Sequence, residues 1–330
     1  MQTQMLHAER AEDRAEAVRL LRAGRLVAVP TETVYGLAGD AANPAAVAAI
    51  FAAKGRPTHH PLIVHLPSAE RMTRWARDIP QAAWRLAEAF WPGPMTLLLH
   101  KSDAVTTAAT GGLASIGLRV PAHPVLRQIL LELDRGLAAP SANPYQRLSP
   151  TTAAQAMQGL GGRIDAVLDG GPCSVGLEST IVDLASDTPR IVRAGPITRK
   201  QIEDALGAAV EFPEQHTTAV PGNVAVHYQP QTPLYVIANE SLRSRIAQLH
   251  PDARIAVAYH SPSLDADIAH ANAVVAHAQL PIDKAGYARA LYTALHTLDR
   301  AAADAIWLER PPTGEDWRDV HDRLSKAAVG

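Results

Sequence analysis

A lysine and an arginine two positions apart, in Lys54-Gly55-Arg56-Pro57, lie between two segments rich in hydroxyls and imidazole: P-T-E-T-V-Y-G from Pro30 and P-L-I-V-H ending at His65. An ammonium beside a forked guanidinium suits a polyphosphate. The residues between read as a short helix. Asn43 can cap it, Pro44 suits its first position, Val47, Ile50 and Phe51 share a face, and Gly55 follows the last turn. Lys54 therefore closes a helix, while Pro57 biases Arg56 toward extended backbone and aims its guanidinium away from that helix. A helix end stabilised by its own lysine, with a solvated arginine beyond it, is the competing reading of these two residues.

Three later segments add polar groups. In Ser115 to Val120 a period of two sends Ser115, Gly117 and Arg119 to one face and Ile116, Leu118 and Val120 to the core. Gly117 leaves room for a ligand at the backbone and Arg119 can fork onto a carboxylate; an edge strand with a solvated arginine is the alternative. Ala139-Pro140-Ser141-Ala142-Asn143 reads as a strand end entering a loop. Ser149-Pro150-Thr151 reads as a helix start capped by Ser149, whose free backbone N–H groups attract anions, or as ordinary cap and turn residues. Glu178 to Asp183 alternates again, and R-I-V-R-A-G ends a strand at Arg193, so Ser179 and Arg193 can face the same cleft or simply be solvated.

These segments need elements to hold them. With 330 residues and 47% hydrophobic content the chain can bury one large core or two ordinary ones. A net charge of -2 and a pI near 6.7 exclude a global basic field for non-specific nucleic-acid binding. The single cysteine, Cys173, excludes a disulfide framework or zinc ribbon and fits a reducing cytoplasm. Charges throughout the first twenty residues, and the lack of a long apolar run, predict a soluble, unprocessed protein with no membrane span. Apolar runs at 26–29, 62–66, 95–99, 116–120, 166–168, 180–184 and 190–193 alternate with helical patterns, which predicts an α/β domain over 1–207. Its last helix opens with a Thr198/Gln201 capping box and stops at Gly207. Residues 208–233 carry Pro213, Pro221, Pro230 and Pro233 and read as an extended linker lying on a protein surface. From 234 to 330 strands and helices alternate again, which predicts a smaller, mostly parallel sheet.

The usual nucleotide and hydrolase signatures are absent: no G-x-x-x-x-G-K-[ST], no G-x-G-x-x-G, no G-x-S-x-G. His59, His60 and His65 lack a nearby cysteine or carboxylate to complete a zinc site, so no metal ligand set is assigned.

In order along the chain, P-T-E-T-V-Y-G, K-G-R-P with P-L-I-V-H, P-G-P-M-T, L-R-V-P, A-P-S-A-N, S-P-T, E-S-T-I-V-D and R-A-G-P-I resemble the YrdC-like threonylcarbamoyl-adenylate synthases. P-G-N-V-A-V-H-Y-Q-P, Y-A-R-A-L-Y, D-A-I-W-L-E-R-P-P and D-R-L-S-K-A-A resemble the longer, two-domain branch of that family. The resemblance implies a twisted mixed α/β sheet around a concave basic site, followed by a Rossmann-like extension. It implies conversion of L-threonine, bicarbonate or carbon dioxide, and ATP with Mg²⁺ into threonylcarbamoyl-AMP, pyrophosphate and water. A tRNA threonylcarbamoyl-transferase complex is the implied downstream partner, with at most weak contact to tRNA itself. Carried over residue by residue, Thr33, His65, Arg119 and Ser179 hold threonine with the backbone at Ala139. Lys54, Arg56, His60, Ser115, Ser141, Ser149 and Arg193 surround ATP, Lys54 and Arg56 supplying catalytic charge, and Asn143 shares their loop without an assigned role. His227 and Tyr228 fall in the linker, which is expected to close over the site as a lid.

This chain departs from the family pattern at Pro144-Tyr145-Gln146, where a Ser-Gly pair is common, at His60, at Ala194 and at Asp316 to Val320. Two rival functions remain at this stage. An RNA-binding module of the same fold without adenylating activity would show steep salt dependence. A carbamoyl-adenylating enzyme would share the core but normally carries zinc-finger and acylphosphatase modules that this chain lacks.

Overall fold

The computed structural model describes residues 2–213, 217–222 and 227–329. The chain divides into two compact units, the first made of Met1–Tyr145, Ser149–Ser174 and Glu178–Asn223, the second of Gln146–Leu148, Val175–Leu177 and Val224–Gly330.

The first unit is built on ten strands: β1 (Gln4–His7), β2 (Val27–Val29), β3 (Gly36–Asp40), β4 (Ile63–His65), β5 (Met95–His100), β6 (Ser115–Arg119), β7 (Leu137–Ala138), β8 (Ala166–Asp169), β9 (Thr180–Asp183) and β10 (Arg190–Arg193). They order as β1-β8-β2-β3-β7-β4-β6-β5-β9-β10. Parallel ladders (β1·β8, β2·β8, β4·β6, β5·β9) mix with antiparallel ones (β2·β3, β3·β7, β4·β7, β5·β6, β9·β10). Both faces of this mixed sheet are covered. Leu26 and Ala28 enter one apolar cluster while Val27 and Val29 enter another, so β2 reads as a continuous apolar run, as a strand buried on both sides must.

Seven helices pack on these faces: α1 (Ala11–Arg22), α2 (Pro44–Lys54), α3 (Met72–Trp75), α4 (Gln81–Phe90), α5 (Pro124–Leu133), α6 (Ala153–Leu160) and α7 (Arg199–Leu206). The sequence rules hold closely for α2. Asn43 accepts from the backbone N–H groups of Ala45 and Ala46, Pro44 opens the helix, and Gly55 ends it in the left-handed conformation. Thr198 and Gln201 form the predicted reciprocal cap of α7.

One local expectation is corrected and one alternative is set aside. Ser149 caps no helix: α6 starts at Ala153 behind Thr152, which forms a capping box with Gln155. β6 is an interior strand between β4 and β5, not an edge, and Arg119 at its end is buried.

The second unit carries β11 (Leu234–Ile237), β12 (Ile255–Tyr259), β13 (Val274–Gln279) and β14 (Ala305–Glu309), all parallel, in the order β11-β14-β12-β13. α8 (Asn239–Ala247), α9 (Asp265–His270), α10 (Lys284–Leu298) and α11 (Arg318–Ala327) complete the alternation. Glu309 ties its carboxyl edge together, accepting from Asn239 Nδ2 at 2.7 Å, the His260 and Ser261 N–H groups at 2.7 and 2.9 Å, and Ser261 Oγ at 2.5 Å.

The proline-rich segment is divided between the units. Val220 packs with Ile63, Leu98, Ile181 and Val192 of the first. His227 N–H donates to the Lys326 carbonyl, and Tyr228, at φ 61°, lies under the Arg323 guanidinium at 5.4 Å, both within the second. Residues 214–216 and 223–226, which the expected lid also includes, lie outside the described residues. Among the described residues no helix is long and apolar enough to cross a membrane.

Candidate active site

A closed circuit of hydrogen bonds in the first unit joins the segments that the sequence singles out. The loop before β3 is a hydroxyl-stabilised turn: Thr31 Oγ1 donates to the Val34 carbonyl at 2.6 Å and accepts from the Thr33 and Val34 N–H groups. This loop continues onto the segment after β7, with Leu37 N–H on the Pro140 carbonyl and Ala142 N–H on the Tyr35 carbonyl, and onto Pro150 through Tyr35 N–H. Ser149 Oγ then donates to Glu178 at 2.6 Å. Thr180 N–H reaches the Pro94 carbonyl, and one residue away the Gly93 carbonyl accepts from Arg119 Nε at 3.1 Å. Arg119 closes the circuit, donating through Nη1 to Thr33 Oγ1 at 3.1 Å.

Arg119 is almost wholly buried. Its Nη2 donates to Glu32 at 2.5 Å, and the other Glu32 oxygen accepts from Ala122 N–H at 3.0 Å. A guanidinium has five donors. Three bonds to Gly93, Thr33 and Glu32 fix its plane and leave two N–H groups outside them.

His65 lies beside Arg119 in the β4·β6 ladder. Burial, and next the Arg119 charge, push its imidazole down to about 3, so the ring is neutral at pH 7. Its ring nitrogens are buried, and backbone groups of Leu137 and Ile63 near the ring only partly offset the downward shift. Ala139 is anchored to the same strand through its N–H on the Ile63 carbonyl at 3.2 Å.

Ser179 is held from two sides. Its Oγ lies 2.7 Å from Thr96 Oγ1 and accepts from Arg193 Nη2 at 2.9 Å, while Arg193 Nε donates to the Ser179 carbonyl at 3.0 Å. Arg193 Nη1 donates to the Pro221 carbonyl at 2.9 Å, which brings the proline-rich segment onto this same face.

Lys54 is fully buried at the end of α2. Its ammonium donates to the carbonyls of Ser141 at 2.5 Å and Asn143 at 2.6 Å, and the third N–H is left over. Burial, then the neighbouring Arg56, holds its pKa well below the usual lysine range. The 141–145 loop is bound in return by Tyr145 N–H on the Lys54 carbonyl. Arg56 is buried, not solvated, and reaches the Pro61 carbonyl at 3.0 Å.

Two departures from the family pattern meet here: the Tyr145 and His60 rings pack edge to face at 5.6 Å, with Tyr145 OH 3.5 Å from His60 Nδ1. Ser115 begins β6 opposite His100 and takes no part in the circuit described above. His227 and Tyr228 are buried in the second unit.

Sequence reasoning missed Glu32, Thr96 and Glu178 as members of this network. Glu32 stands inside P-T-E-T-V-Y-G between two hydroxyl residues, yet nothing local reveals that its partner is Arg119, 87 positions on.

Comparison with known proteins adds to this geometry. Residues 19–195 match the Sua5/YciO/YrdC family, described as "Telomere recombination", and residues 197–329 match the Sua5 C-terminal domain, described as "Threonylcarbamoyl-AMP synthase, C-terminal domain". Threonylcarbamoyl-AMP synthase of Pyrococcus abyssi is 36% identical over 94% of this chain and 93% of its own length, and that of Bacillus subtilis is 36% identical over 96% and 93%. The crystal structure of P. abyssi Sua5 complexed with L-threonine superposes with a TM-score of 0.88 at 32% identity, covering 99% of this chain and 98% of that one. Likeness of this extent spans both units, and the chain belongs to the two-domain threonylcarbamoyl-AMP synthase family.

Proposed function

We propose that this protein makes L-threonylcarbamoyl-AMP and pyrophosphate from L-threonine, bicarbonate or carbon dioxide, and ATP. The observation that carries the reading is the Arg119–Thr33–His65 group, a buried fork with two donors to spare beside a neutral imidazole. A zwitterionic amino acid fits it: the carboxylate takes the fork, and the neutral imidazole places no like charge beside the amine. Lys54, Arg56 and Arg193 supply positive charge for the triphosphate, with His60, Ser115, Ser141 and Ser149 as further nucleotide contacts.

The chemistry asks for alignment and charge neutralisation. The threonine amine, once deprotonated, adds to carbon dioxide to give a carbamate; a carbamate oxygen attacks the α-phosphorus and pyrophosphate leaves. Two anions must approach, and preorganised cations lower the cost of that approach. No covalent protein intermediate is required. Among the described residues no cluster of three or more His, Cys, Asp or Glu could hold a metal. Magnesium enters this proposal as the ion carried on the triphosphate, which suits its habit of keeping waters and phosphate oxygens as ligands.

Closure protects a labile carbamate from water. The contacts of Val220 and Pro221 with the site face support a lid formed by this part of the proline-rich segment. We place the reaction in the cytoplasm, where the free thiol of Cys173 is at home, upstream of a transferase complex that passes the threonylcarbamoyl group to tRNA.

The test is pyrophosphate release by purified protein supplied with ATP, Mg²⁺, bicarbonate and each amino acid in turn. Preference for threonine, lost in Arg56→Ala, supports the reading; release indifferent to the amino acid refutes it.

A further inference from the structure

We infer that Glu32 is a positioning residue for threonine, setting the direction of the Arg119 fork while making no substrate contact of its own. This rests on the proposed function and deepens it.

Glu32 and Arg119 are 7% and 4% exposed at their side chains, so neither ion is shared with bulk water. Each Glu32 oxygen has a separate task. Oε1 takes Arg119 Nη2 and Oε2 takes the Ala122 N–H, so the carboxylate is pinned between the end of β6 and the turn that follows it. The backbone that carries Glu32 is fixed in its turn by the hydrogen bonds that Thr31 Oγ1 makes to the Thr33 and Val34 backbone.

The guanidinium is thereby held at three corners, by Gly93, Thr33 and Glu32, and of these Glu32 alone is charged. A charge-assisted bond is roughly twice as strong as a neutral one, so Glu32 dominates the choice of plane. The two N–H groups outside these three bonds are the ones left to take the carboxylate of an amino acid. A misaimed fork costs binding of that carboxylate and leaves triphosphate chemistry untouched, since Lys54 and Arg193 are held by other partners.

Glu32→Gln keeps the length of the side chain but presents an amide N–H to either the Ala122 N–H or the guanidinium. The expected result is a KM for threonine raised about tenfold or more, the range of one hydrogen bond to a charged group. KM for ATP should stay within about twofold of wild type, and KM for serine, which carries the same carboxylate, should rise in parallel with that for threonine.

Removing one member of a buried ion pair can prevent folding. The decisive comparison is therefore Arg119→Gln against the double variant Glu32→Gln/Arg119→Gln, which removes both charges together. If Glu32 acts through Arg119, the second substitution adds nothing and the two share one threonine KM. A further rise of about tenfold in the double variant overturns the inference, because Glu32 would then act independently. An unchanged threonine KM in a folded Glu32→Gln enzyme also overturns it while leaving the proposed function standing. Wild-type protein that releases no pyrophosphate in response to threonine refutes both.

Discussion

Both units bury a charged side chain at the end of a strand, and the two are treated oppositely. In the second unit the Glu309 carboxylate is saturated: burial pushes its pKa up, but hydrogen bonds from Ser261 Oγ, the His260 N–H, Asn239 and the Ser261 N–H outweigh this and hold it below the usual range. In the first unit Arg119 keeps two donors in reserve, Lys54 keeps one, and the His65 imidazole is buried in its neutral form. Burial of charge is common to the two regions. Unspent hydrogen-bonding capacity is what separates a site from a staple, because a buried polar group without a partner is tolerated chiefly where a ligand will complete it.

Acid provides the strongest way to break this contrast. His65 has a folded-state pKa of about 3 against 6.5 in the unfolded chain. Between those values the unfolded chain binds the extra proton, so stability is full above pH 6.5 and is lost as pH falls toward 3. A shift of that size corresponds to roughly 5 kcal/mol over the whole window. Glu309, with its pKa lowered from 4.5, loses its contribution only further into acid, as it becomes protonated. Urea denaturation from pH 7 to 4 should show stability falling from about pH 6.5, and His65→Leu should flatten that slope. An unaltered slope in His65→Leu would mean the imidazole is not held neutral by the fold.

Activity supplies the next separation. Lys54→Ala removes the cation and leaves the Ser141 and Asn143 carbonyls without their donor, so kcat/KM for ATP should fall about 10²- to 10³-fold in a pyrophosphate assay, the usual cost of deleting a preorganised charge-stabilising group. Glu309→Gln should do the reverse. It opposes an amide N–H to donors already aimed at the carboxylate, at about 1–3 kcal/mol of stability in thermal melts, with kcat/KM within about twofold of wild type. A large activity loss in Glu309→Gln would show that the second unit shapes the chemistry directly.

Much of this contrast was legible in the sequence, for a physical reason. The helix α2 announces itself through Asn43, Pro44 and Gly55, and the long apolar strands announce themselves through burial on both faces. β3, β7 and β1 did not. β3 reads Gly-Leu-Ala-Gly-Asp, and its Gly39 serves close packing: a Cβ there would lie 3.1 Å from both Ile50 and Leu26, which would have to give way by a few tenths of an ångström. β7 has two residues, and β1 reads Gln-Met-Leu-His, whose apolar pair is flanked by polar side chains, so neither stands out as an apolar run. At the site, residue types pointed to Arg119, Lys54 and Ser179, since each carries its chemistry in its own side chain. Glu32, Thr96 and Glu178 act by holding a distant partner, and the partner's position is a property of the fold. Ser149 shows the opposite error. Ser-Pro-Thr resembles a helix cap, but Thr152 with Gln155 forms a reciprocal cap that Ser149 cannot match, and its hydroxyl is taken by Glu178.

The finest test concerns a group whose capacity is spent inside the site itself. Thr96 is fully buried, and its hydroxyl lies 2.7 Å from Ser179 Oγ, which also accepts from Arg193 Nη2. Thr96→Val keeps the shape and removes only that bond, so about 1 kcal/mol of stability should go. Ser179 Oγ then keeps Arg193 but loses the second partner that fixes its rotamer. If Ser179 meets threonine, the KM for threonine should rise about two- to fivefold, the share of one neutral hydrogen bond, while the KM for ATP moves less. The opposite ordering, with ATP affected and threonine spared, would reassign Ser179 to the nucleotide side. Arg119, with Thr33 and His65 beside it, would then hold threonine without Ser179.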